Sequence, residues 1–275
     1  MSSNLGNRLV ALDYARWIFA LLVVIIHVPL IGKKFLSPIA CCAVPFFYMA
    51  TGYFLYDKEL TKVQAKIIKA LKNYGKIWIV AFSILTTVVF GLKIACSNPL
   101  GWSLQDFIDL FLVYGNCQAA ELLTIDGVTY GTSALWFLYG GIISLALLLC
   151  LRRFLFSKVL FTIVLLLYYI SIAINYRNGY VVPRVISASF IFLYIGLLMH
   201  KINVSFNNKR LLFLAIATCI GLYLEQLLFR CESYNRIFLL PTSVTIFMLI
   251  ISCKDLSGGN TLYSNKSHIR YLLMA

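Results

Sequence analysis

Acidic residues are scarce in this chain. Ten Asp and Glu stand against 24 Lys and Arg, and charged residues fill only 12% of its 275 positions. A soluble domain carries about a quarter charged residues, so this composition excludes an ordinary water-facing globule. Metal-site spacing is missing as well: the eight cysteines include no CxxC and no Cys/His ligand pattern, and most read as small buried apolar residues. No small-x-small cleavage site follows the first apolar run, which therefore reads as a retained span rather than a signal peptide. Neither low-complexity segments nor internal repeats are evident.

What is there is apolar: 61% of residues are hydrophobic and the mean hydropathy is +0.87. Runs of about 20 apolar residues mark membrane spans, and eight fall near 10–30, 37–56, 76–95, 133–151, 159–175, 185–200, 211–229 and 237–253. The fold class predicted is an all-α polytopic membrane protein of about eight transmembrane helices, in the inner (plasma) membrane. The net charge of +14 is carried by short basic clusters between the apolar runs, without a recognition motif for nucleic acid, so no nucleic-acid partner is expected. With the N-terminus inside, 16 Lys and Arg lie on the inner side and 7, including Arg236, on the outer, with Arg16 alone inside a span. That excess sets both termini in the cytoplasm. The segment "SLQDFIDLFLVYG" (103–115) is short and has Asp106 and Asp109 on one helical face, so it reads as interfacial or re-entrant rather than spanning.

Two loops stand out within the single domain expected over 1–275. In the basic cytoplasmic loop at 57–76, lysines at 62, 66, 69, 72 and 76 recur every three or four residues, lining one helix face. Such a stripe suits the phosphates of an anionic cofactor, or anionic lipid headgroups. The extracytoplasmic loop at 96–132 has no Lys or Arg and contains Cys96 and Cys117, where a disulfide is chemically allowed.

The first span, "LDYARWIFALLVVIIH" (12–27), places an acid, a base and an imidazole among aliphatic residues. Eleven steps lead from Arg16 to His27; at 100° per residue they share a face about 16 Å apart along the axis. Asp13, three residues before Arg16, is on that side and can pair with its guanidinium. Charged groups inside a span face protein or a watery cavity and mark a site. The plainer reading makes Asp13 and Arg16 a structural pair at the inner interface and His27 a snorkelling residue at the outer one.

These residues carry a resemblance to the acyltransferase-3 family of integral membrane acyl transferases. The Asp-x-x-Arg start and Arg-x10-His spacing match Asp13, Arg16 and His27. "VPFFYMATGYFL" (44–55) is similar to the family's Val-Pro-x-Phe-Phe-x-x-Ser-Gly-Tyr pattern, with Thr51 in place of Ser, and "LWFL" (135–138) and "FIFLYIGLLMHK" (190–201) match the middle spans more loosely. The family usually has about ten spans and a closing Ser-x-x-Ile-Tyr-x-x-His segment. "LYSNKSHIRYLLMA" holds at most an echo of it, leaving open a C-terminally shortened chain, completion by another subunit, or an inactive relative. An Arg-x-x-Arg pair associated with the acyl donor is replaced by Lys66, Lys69 and Lys72, which lack arginine's bidentate fork.

The resemblance implies transfer of an acyl group, commonly acetyl from acetyl-CoA, to a sugar hydroxyl of a surface glycan. Acyl-CoA, the glycan acceptor and the lipid bilayer are then the partners. His27 is the candidate base, Arg16 holds a donor phosphate or carbonyl or orients the site with Asp13, and Lys66, Lys69, Lys72 and Lys76 attract the donor's phosphates. His200 and His268 are placed at inner loops without a comparable setting. Glu225 reads as an interface-facing acid or a second carboxylate of the site. Pro45 and Gly52 are assigned to helix shape and close packing, and Trp136 and Tyr53 to aromatic lining, of an acceptor path or of belt and core. The same opening motifs resemble the membrane half of vancomycin-resistance serine racemases, so a transporter of a small polar solute is the alternative, and a non-catalytic relative a third.

Overall fold

The computed structural model describes residues 10–27, 32–95, 123–125, 128–130, 136–178, 189–202, 208–229 and 236–252. A helix stands at each of the eight apolar runs. They are α1 (Val10–His27), α2 (Lys33–Ala40) with α3 (Ala43–Leu55), α4 (Leu60–Ala95), α5 (Trp136–Cys150), α6 (Lys158–Asn178), α7 (Ile191–Ile202), α8 (Asn208–Phe229) and α9 (Leu239–Ser252). By length and composition, Phe35–Leu55 and Asn208–Phe229 can cross a membrane; Phe137–Cys150, Lys158–Ile174, Ile191–Ile202 and Leu239–Ser252 are shorter apolar helices. The interfacial segment 103–115, Cys96, Cys117 and His268 lie outside the described residues.

One departure from an all-helical chain is a small antiparallel hairpin, β1 (Leu123–Ile125) with β2 (Val128–Tyr130), in register Leu123 to Tyr130 and Ile125 to Val128. The β-branched residues of "LTI" and "VTY" and the Asp-Gly between them favour this pairing.

The chain divides into two compact units, one from Met1–Tyr56 with Phe192–Ala275, the other Asp57–Ile191. In the first, α3 is the central helix, with Val44, Pro45, Phe46, Tyr48, Met49 and Gly52 all buried. Phe46 stacks on Phe19 of α1 at 4.1 Å and meets Phe247 of α9 edge-on at 5.8 Å. Pro45 is the third residue of α3, in the first turn, where its missing N–H removes no helical bond. Between α2 and α3, Cys41 and Cys42 make a tight turn whose N–H groups still reach the Ser37 and Ile39 carbonyls at 3.0 Å. Gly32, at φ 85°, opens α2 in the left-handed region that a side chain rarely adopts.

Small residues bring α3 and α7 together. A Cβ on Gly52 would strike the Leu193 backbone, and one on Gly196 the Met49 backbone. In the membrane, where neighbouring lipid is as apolar as leucine, such backbone contact is what holds helices together. The close packing assigned to Gly52 from sequence is what α3 uses.

Helix α8 is inside-out by the standards of a soluble protein. Phe213, Leu227, Leu228 and Phe229 are exposed, while Thr218 and Glu225 are buried. Thr218 Oγ1 lies 3.1 Å from Thr245 Oγ1, and Thr242 donates to the Thr218 carbonyl at 3.0 Å, so hydroxyls bond α8 to α9. In the second unit α6 repeats the pattern: Phe161, Leu166 and Ile170 are exposed, and Tyr168 and Ser171 buried. Apolar outside and polar inside is the arrangement a lipid solvent selects.

Helix α4 joins what reads in the sequence as a basic loop followed by a span. Nothing in Leu60–Ala95 breaks it, since it has no proline and Gly75 meets nothing within 4 Å. Its 36 residues extend about 54 Å.

Candidate functional site

The polar residues of the first span do not converge on one point. Asp13 and Arg16 are one turn apart on α1 and paired at 3.1 Å, as their spacing predicts. The Arg16 guanidinium also lies 5.2 Å above the Phe54 ring at the end of α3, a cation–π contact that helps hold it in an apolar setting. His27 is the last residue of α1, eleven residues on, so its backbone lies about 16 Å away along the axis; its side chain, like that of Trp136, is outside the described residues. Thr51, at the family's serine position, donates to the Phe47 carbonyl at 2.9 Å.

His200 requires a correction. The sequence places it at an inner loop with no special setting, but it lies within the last turn of α7. Its ring stacks on Tyr53 at 4.3 Å, tilts against Tyr56 at 5.0 Å, and its Nδ1 lies 2.6 Å from the Tyr53 carbonyl oxygen. Tyr53 also meets Phe247 at 6.0 Å, so it is built into the helix packing. The signal that shows His200 in the sequence is its placement at the end of an apolar run, next to Lys201.

Glu225 is not an interface-facing acid. It is 5% exposed, and its two oxygens accept the backbone N–H groups of Ile237 at 2.7 Å and Phe238 at 3.0 Å, just ahead of α9. Those donors have no helical acceptor, and the helix dipole adds to the attraction. Glu225→Gln keeps one acceptor and turns an NH2 group toward the other donor. It is expected to lower the stability of the solubilised protein by about 2 kcal/mol, read as a lower unfolding midpoint; an unchanged midpoint rules out the capping role.

Arg236, counted from sequence as an outer-loop cation, is wholly buried immediately before α9. A lone arginine ahead of "IFLLP" carries no sequence signal for burial.

In the second unit, Lys62, Lys69, Lys72 and Lys76 are exposed on α4 and Lys66 is partly so, while Val63 and Ile67 are buried. Lys62 pairs with Glu59 at 2.8 Å and Lys66 with Asp57 at 3.0 Å. Among the described residues no carboxylate pairs with Lys69, Lys72 or Lys76, which remain available to a diffusible anion. The Lys66 hydrogen bond holds the Asp57 carboxyl below its ordinary 3.8. A depressed carboxylate stabilises the folded chain above its unfolded pKa and loses that contribution as pH falls through the folded one. Lowering the pH from 5 to below 3.8 is therefore expected to weaken the native protein slightly more than Asp57→Asn, in thermal unfolding at each pH. Equal losses contradict this, and the difference is small because the pair is exposed.

The first unit also has a groove of about 510 Å³ lined by Ile39, Ile216, Cys219, Ile220, Tyr223 and Ile246. It is apolar and lined by none of the candidate residues. Among the described residues no cluster of His, Cys, Asp and Glu could hold a metal ion.

No curated protein and no solved structure matches the chain at a significant level. A family model does: the acyltransferase domain of the acyltransferase-3 family matches residues 9–259, across both units and with the Asp13, Arg16 and His27 helix inside the match. With nearly its whole length so matched, this membrane-associated chain belongs to the acyltransferase-3 family.

Proposed function

We propose that the chain moves an acyl group, acetyl from acetyl-CoA, to a hydroxyl of a cell-surface or exopolysaccharide sugar, working as a multi-pass protein of the inner membrane with both termini cytoplasmic. The observation that carries this reading is α1 itself. One helix of an acyltransferase domain sets a paired arginine near its start and a histidine at its end. Two chemistries are thereby offered at two depths, cationic toward the donor side and basic toward the acceptor side.

The reaction fits those roles. The sugar oxygen attacks the thioester carbonyl, His27 takes the hydroxyl proton, the carbon–sulfur bond breaks, and the proton leaves with the thiolate of coenzyme A. Imidazole titrates near neutrality and suits both transfers. Arg16, oriented by Asp13, offers hydrogen bonds to a phosphate or carbonyl oxygen. Lys69, Lys72 and Lys76 present an anion-attracting face, and Lys66 joins them where a phosphate replaces Asp57.

The test is the protein in sealed liposomes with radiolabelled acetyl-CoA and a polysaccharide acceptor. Label passing to the glycan supports acyl transfer. Solute flux without consumption of acetyl-CoA supports the transporter alternative and overturns this reading.

A further inference from the structure

His200 has one ring nitrogen committed and one available. A carbonyl oxygen only accepts, so Nδ1, 2.6 Å from the Tyr53 carbonyl, carries the hydrogen of that bond. In the neutral ring this leaves Nε2 as an acceptor. No partner for Nε2 exists among the described residues. Tyr53 and Tyr56 cover the ring at 4.3 and 5.0 Å and fix its orientation, while the residue as a whole is only half-buried. A stacked and anchored imidazole whose second nitrogen has no partner among the described residues is prepared to receive an N–H or O–H from a ligand.

Its position says from which side that ligand comes. The last turn of α3 has Tyr53 against His200 and Phe54 under Arg16, so the Asp13–Arg16 pair and the imidazole flank the same turn. A cation, Arg16, and an acceptor for an N–H are thus offered at one end of the first unit. Coenzyme A matches both demands, carrying phosphates together with amide N–H groups, hydroxyls and an exocyclic amine.

We propose that His200 is a donor-binding residue, whose Nε2 accepts a hydrogen bond from coenzyme A. This rests on the acyl-CoA reading above. The role differs from that of His27, since His200 binds the donor and takes no proton in the transfer.

Two substitutions separate binding from packing. In His200→Asn the amide nitrogen sits where Nδ1 was and still donates to Tyr53, but nothing replaces Nε2. In His200→Gln the longer amide restores an oxygen at the Nε2 position. Titration of purified protein with coenzyme A is expected to show about tenfold weaker binding for His200→Asn and near-native binding for His200→Gln, with unfolding midpoints of native and Asn proteins alike. Binding by His200→Asn equal to native overturns the role of His200 and leaves the acyl-CoA reading standing. Native protein that does not bind coenzyme A overturns both.

Discussion

His27→Ala is expected to lower acyl transfer by about 10² to 10⁴, with the amount of protein in the membrane unchanged. A sugar hydroxyl is a poor nucleophile until its proton has somewhere to go, and a positioned base contributes about that factor. His27 is the last residue of α1, where alanine is tolerated by the helix and removes no described contact. His27→Gln should fail equally, because an amide hydrogen-bonds but does not take the proton. The check is turnover per mole of protein in membranes, with quantified expression. Activity within threefold of native would place the base elsewhere and return His27 to an interfacial role.

The second large effect is on folding. Gly196→Leu is expected to prevent accumulation of folded protein, because its side chain begins where the Met49 backbone already lies. A core can shift a flexible side-chain tip, but here the obstruction is the main chain of α3, and Gly52 makes the reciprocal approach to Leu193. The cost of such overpacking is about 3 kcal/mol or more, a large part of what a domain has. Gly75→Ala is the control: open space surrounds it, and alanine in an exposed helix gains up to about 1 kcal/mol over glycine. Size-exclusion profiles and unfolding midpoints of the solubilised variants decide this. A monodisperse Gly196→Leu with a native midpoint contradicts the α3–α7 crossing.

The helices were legible because apolar run length reports directly on the lipid solvent. Each of the eight runs contains a helix, and the Asp13–Arg16 pair follows from a three-residue separation. Local spacing, however, does not register tertiary neighbours. His200 looked like a loop residue because its partners, Tyr53 and Tyr56, are nearly 150 positions away in the sequence. Glu225 looked peripheral for a related reason, since the N–H groups it caps belong to the next helix. The hairpin rests on a local signal, the β-branched residues and Asp-Gly of "LTIDGVTY". The basic loop and third span were divided where the charge stops, although a helix backbone does not end with a change of polarity.

The most direct measurement is mass spectrometry of surface polysaccharide from cells carrying the native protein, His27→Ala or no protein. Glycan acyl transfer predicts an acyl mass increment with the native protein alone. Identical glycan profiles in all three, with folded protein present in the membrane, would contradict it.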